Sequence, residues 1–92
     1  MRVLFLRSAL EDLEWLRTYY TAVFPEGEQK AIAQLNKITR LLEANPYLGR
    51  PGTQEGSREL HIPRTPFTLV YRVTSQNVEV ARVWDERQGN FD

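Results

Sequence analysis

The chain has no cysteine. That removes disulfides, thiolate nucleophiles and sulfur-based zinc sites, and it suits a reducing compartment such as the cytoplasm. Histidine occurs once, at His61, so no pair of imidazoles can hold a metal. The sequence also lacks a phosphate-cradling glycine loop and a nucleophile elbow. Long apolar runs are missing too: VLFL at positions 3–6 is too short for a signal-peptide core, and nothing approaches the ~18 apolar residues of a membrane span. Neither secretion nor membrane contact is expected. Excess charge of one sign is absent as well, since twelve basic residues balance twelve acidic ones. This argues against a protein whose main affinity comes from neutralising phosphates.

The 92 residues suit one domain, 1–92, and 41% hydrophobic with 11% aromatic content is the composition of a folding chain. A domain of this size buries roughly two thirds of its unfolded surface, enough for one modest core.

Residues 2–7 read as a short strand, with its apolar run pointing to burial on both faces. Ser8 and Glu11 then match a capping box, in which the serine hydroxyl accepts from the N–H three residues on and the glutamate reaches back. This predicts a first helix from Ala9, with Leu13, Leu16, Tyr20 and Val23 or Phe24 on one stripe, ending before Pro25. Trp15 and Tyr19 form a second i, i+4 pair beside that stripe, and serve either to broaden the buried face or to meet a partner.

Ile32, Leu35, Ile38 and Leu42, with Ala31 and Leu41 alongside, trace a second helix that Asn45 and Pro46 stop, and the two helices should form an antiparallel hairpin. Residues 45–57 hold three glycines and two prolines and read as a loop. Three β-patterned runs follow, at 58–62, 67–74 and 78–84. In the middle one, Phe67, Leu69, Tyr71 and Val73 alternate with Thr68, Val70, Arg72 and Thr74 and define one buried face. The expected fold is α+β, β-α-α-β-β-β, a helical hairpin on a mainly antiparallel twisted sheet.

Arg58, Arg64, Arg72, Arg82 and Arg87 fall in the sheet segment, whereas Glu11, Asp12, Glu14, Glu26, Glu28 and Glu43 fall in the helical half, so the molecule should be electrically lopsided. Each guanidinium could bind an anionic partner, pair with Glu79 or Glu86, or lie over Trp84. His61, beside Glu59 and near Arg64, is an ordinary polar strand residue or a general acid/base, and the former is the commoner role.

The order of elements, with NPYLGRPG after the second helix, REL-x-IPRTPF-x-LVYRV across two strands and EVARVWDERQ near the end, resembles the RelE/ParE toxin superfamily of bacterial type II toxin-antitoxin systems. The likeness spans nearly the whole chain. It implies a growth-arresting, plasmid-stabilising toxin with no cofactor and no metal, and a cognate antitoxin that wraps it as a helix and sometimes an added strand. Trp15 and Tyr19 are the candidate antitoxin contacts. RelE-like members cut messenger RNA on the ribosome, whereas ParE-like members are associated with poisoning DNA gyrase. Nucleases of the first kind place basic residues on the strand before LVY, an arginine just ahead of LVY, and basic and aromatic residues at the C-terminus. Aligned without gaps from LVY, those positions carry Glu59, His61 and Thr68 here, and Phe91 lacks a tyrosine's hydroxyl. The resemblance therefore favours the ParE-like branch, a protein inhibitor rather than an enzyme, with Arg64, Arg82, Trp84 and Arg87 as target-binding residues. The alternative is a nuclease using Glu59, His61, Arg64 and Arg87 on the ribosome. A member that has lost toxicity and serves only within the complex is the third reading.

Overall fold

In the computed structural model, which describes residues 1–88, the elements are β1 (Arg2–Phe5), α1 (Arg7–Val23), a 3₁₀ turn (Pro25–Gly27), α2 (Glu28–Ala44), β2 (Arg50–Pro51), β3 (Ser57–His61), β4 (Phe67–Val73), β5 (Asn77–Asp85) and a second 3₁₀ turn (Glu86–Gln88). The strands form one sheet in the order β1-β5-β4-β3-β2. Only β1 and β5 run parallel; the other pairs are antiparallel, as expected.

The core lies between the helices and one sheet face. Leu16 and Tyr20 from α1, Leu35, Ile38 and Leu42 from α2, and Phe67, Leu69, Tyr71, Val78, Val80 and Val83 from the sheet are buried together. The helical stripes predicted from spacing supply most of it. Val23 and Phe24, at the far end of the first stripe, are instead 65% and 50% exposed, and Leu41 is 43% exposed.

Four expectations are corrected. The loop 45–57 contains a strand, β2, whose two residues sit opposite Glu59 and Arg58 of β3. Its glycine and proline content hid it, because a two-residue edge strand carries no periodicity. The middle strand is buried on both sides from Phe67 to Tyr71, and it is the central strand of five, with a paired strand along each edge. β1 is only partly buried, because it is an edge strand. Finally, α1 starts two residues earlier, at Arg7, and its N-cap residue Leu6 makes no side-chain cap.

Ser8 is therefore not the first member of a capping box; its hydroxyl donates to the Ala81 carbonyl at 2.6 Å. The reason lies in the sheet. β1 pairs with β5 only as far as Val80, which leaves residues 81–85 of β5 with an open edge. Buried or half-buried backbone groups need partners. The first turns of α1 provide them: Leu6 N–H donates to the Val80 carbonyl at 2.9 Å, Ser8 takes Ala81, and the Asp12 carboxylate accepts from Val83 N–H at 2.9 Å. Ser8, Asp12 and Trp15, at i, i+4 and i+7, act as a side-chain replacement for the missing strand.

Tyr71 performs a similar service at the other edge. Its hydroxyl accepts from Gly49 N–H at 2.8 Å and donates to the Pro46 carbonyl at 2.9 Å, pinning the NPYLGRP segment to the sheet. A Cβ at Gly49 would lie 2.6 Å from the Glu59 carbonyl oxygen, so that close approach requires glycine.

Candidate functional site

The end of the sheet where β5 meets the second 3₁₀ turn gathers most of the residues singled out in the sequence. Asp85 is the centre. Its side chain is 3% exposed and accepts from Trp15 Nε1 at 3.0 Å, from Arg87 N–H at 3.0 Å and from Arg87 Nε at 2.8 Å. The Arg87 guanidinium, helped by the Trp15 indole, holds the Asp85 carboxyl down at about 2 against burial. The same guanidinium lies 3.9 Å over the Tyr19 ring, and Tyr19 in turn meets Phe67 edge-on at 6.1 Å. Trp15, Tyr19 and Arg87 thus belong to one network: Asp85 links the indole to the guanidinium, which covers the tyrosine ring.

Arg82 repeats the arrangement one turn of α1 earlier. Its Nε and Nη2 donate to the two oxygens of Asp12 at 2.7 and 3.0 Å, a bidentate pair that raises the arginine's pKa, and its guanidinium lies 5.2 Å from the Trp84 ring. The partners are not the Glu79 or Glu86 that the sequence suggested. Glu79 lies opposite Arg72 across the β4–β5 pair, and Glu86 pairs with His61 Nδ1 at 2.9 Å. Two of the five sheet arginines are consequently neutralised by Asp12 and Asp85, and the expected charge asymmetry is smaller than the sequence implied.

Asp12 and Asp85 are the residues that sequence reasoning missed. A signal existed for both. Asp12 falls on the stripe shared by Ser8 and Trp15, and Asp85 continues the buried phase of β5 after the register shift that follows Val80. An aspartate at a buried strand position demands cationic or N–H partners.

Arg64 stands in the turn between β3 and β4 with φ +64°, exposed, and the turn is joined to the C-terminal segment by Glu86 N–H donating to the Pro66 carbonyl at 2.8 Å. Glu59 and His61 lie elsewhere, on the sheet face away from the helices. They share a cleft of about 400 Å³ with Arg50, Leu60, Thr68 and Glu86. Glu59 accepts from Arg50 at 3.2 Å, and His61 sits between Glu86 and the Thr68 hydroxyl at 3.4 Å. Neither Arg64 nor Arg87 lines this cleft, so the four residues of the nuclease alternative are not assembled on one wall. Phe91 lies outside the described residues.

The model of the family described as ParE toxin of the type II toxin-antitoxin system parDE matches residues 3–89. The chain belongs to the ParE toxin family. It is 28% identical over 87 residues to Y4kP, a candidate toxin of Sinorhizobium fredii, covering 95% of this chain and 90% of that protein. Its fold matches a chain from the chromosomal ParDE toxin-antitoxin system of P. aeruginosa with a TM-score of 0.78 and 29% identity, over 90% of this chain and 92% of that one. Membership of this ParE branch agrees with the resemblance drawn from the motifs. Within the family frame, the strand positions where RelE-like nucleases would carry cations hold Glu59 and His61, and the position ahead of LVY holds Thr68, 6% exposed beneath its neighbours. Among the described residues no group of three or more His, Cys, Asp or Glu could hold a metal, and no helix is long and apolar enough to cross a membrane.

Proposed function

We propose that this chain is a toxin that arrests growth in the cytoplasm by binding and poisoning DNA gyrase, making no covalent bond itself, and that a cognate antitoxin neutralises it. The observation that carries the choice of target class is the chemistry of the β3–β4 face. Cleaving a phosphodiester requires cations placed around the scissile phosphate and the leaving oxygen. Here Glu59 is matched by Arg50, His61 by Glu86, and the charge of Arg87 by Asp85. A surface of Arg64, Arg82, Trp84 and Arg87 instead suits recognition of a protein, because arginine and tryptophan so often dominate interface energetics.

Neutralisation is assigned to the α1 members of the same network. Trp15 is 44% exposed although its indole N–H is held by Asp85, and Tyr19 lies beside it under Arg87. β1 adds an edge with unpaired backbone groups next to α2, which suits a partner that contributes a helix and a strand. A supercoiling assay with purified toxin tests the reading: gyrase should be inhibited, cleavage complexes should accumulate, and added antitoxin should reverse both. Normal supercoiling at saturating toxin, together with messenger RNA cut on translating ribosomes and spared by Glu59→Gln or His61→Ala, would replace it with the nuclease.

A further inference from the structure

We infer that Arg64 is the anchoring contact of the toxin surface and that it grips a carboxylate on a protein target. The inference rests on the toxin reading, but not on which protein the target is.

Arg64 is the only non-glycine residue with positive φ among the described residues, at +64°. An L side chain strains that backbone, which glycine or asparagine adopts readily. Folding gives no reason to keep an arginine there, since its side chain is exposed and no hydrogen bond, ion pair or ring contact engages it among the described residues. The turn beneath it is nonetheless held firmly. Pro63 and Pro66 flank Arg64 and Thr65, and the buried Thr65 hydroxyl donates to the Ile62 carbonyl at 2.9 Å and accepts from Phe67 N–H at 3.1 Å. The guanidinium is therefore carried on a turn whose backbone is already ordered, so a partner need immobilise only the side chain.

The other residues of the predicted target-binding set narrow the partner. Arg82 and Arg87 already sit on Asp12 and Asp85, so they are positioning residues that brace Trp84 and Tyr19. Arg64 is left as the uncompensated cation of the predicted target-binding set. A nucleic acid is held by several phosphate contacts at once, and a neutral chain with one free arginine at this surface does not supply them. One exposed fork with no partner of its own fits a carboxylate on a protein.

Three variants test this. Arg64→Gly and Arg64→Asn relieve the backbone, so both should melt within about 4 °C of the wild type. Both should nevertheless need about thirtyfold more protein for half-inhibition of gyrase, the size of a strong interface contact. Arg64→Glu should lose still more. Raising the salt concentration should weaken the wild type and leave the glycine variant nearly unaffected. Wild-type potency in the glycine and asparagine variants would overturn the inference. If the wild type leaves gyrase untouched yet arrests growth on induction, the gyrase reading fails alone, and growth arrest scores the same variants: full arrest by Arg64→Gly overturns the anchor, and loss of arrest supports it. Binding of the wild type to bare duplex DNA that Arg64→Gly abolishes would overturn the assignment to a protein surface.

Discussion

Replacing Asp85 by asparagine removes a charge while keeping the size of the side chain, and the pH dependence of the loss isolates the electrostatic contribution of the Trp15–Asp85–Arg87 network. The folded carboxyl titrates at about 2 against an ordinary value of 3.8. A difference of nearly two pH units corresponds to about 2 kcal/mol at neutral pH. Arg87 is 45% exposed on its side of the pair, so water screens the interaction and ~1 kcal/mol is the expected loss. Because the folded value lies below the unfolded one, the contribution is complete above about pH 4 and fades as the pH falls towards 2. Urea unfolding of both proteins at about pH 7 and about pH 3 should therefore show the variant less stable at the first and the gap reduced to about half at the second. A gap of the same size at both pH values, or none at pH 7, would refute the argument that charge at Asp85 ties β5 to α1.

Three further outcomes are expected. Asp12→Ala leaves both Val83 N–H and Arg82 without their acceptor and should cost ~1–3 kcal/mol in chemical denaturation, with Arg82→Met recovering part of the loss in the double variant. Tyr71→Phe orphans Gly49 N–H and the Pro46 carbonyl and should cost ~1–3 kcal/mol, accompanied by faster amide exchange at Gly49. Trp15→Ala and Tyr19→Ala should each weaken antitoxin binding by about tenfold or more with the fold intact; unchanged affinity in calorimetry would remove them from that surface.

The resemblance to the ParE branch was legible because it depended on residue identity at aligned positions. Glu59, His61 and Thr68 stand where cations would be needed, and no folding information is required to see that. The arginines were a different matter. Their chemistry was visible, but their partners were not, because Asp12 and Arg82 are 70 residues apart, as are Trp15 and Asp85. Sequence spacing reports neighbours on one helix or one strand, and a contact across the sheet edge has no such period.

Periodicity by itself determined the two helices, the three C-terminal strands and most of the core, since burying a stripe at 3.6 or a face at 2 leaves little freedom in how those segments fold. Tertiary structure alone decided what happens at the edges. The parallel pairing of β1 stops at Val80, and from there Ser8 and Asp12 complete β5 with their side chains, while Trp15 fastens its last residue, Asp85. β2 is a strand only because Tyr71 and the Cβ-free Gly49 draw an irregular loop against β3. Both outcomes follow from one requirement, that backbone donors and acceptors shielded from water find partners, and which partners are within reach depends on where the helices come to rest.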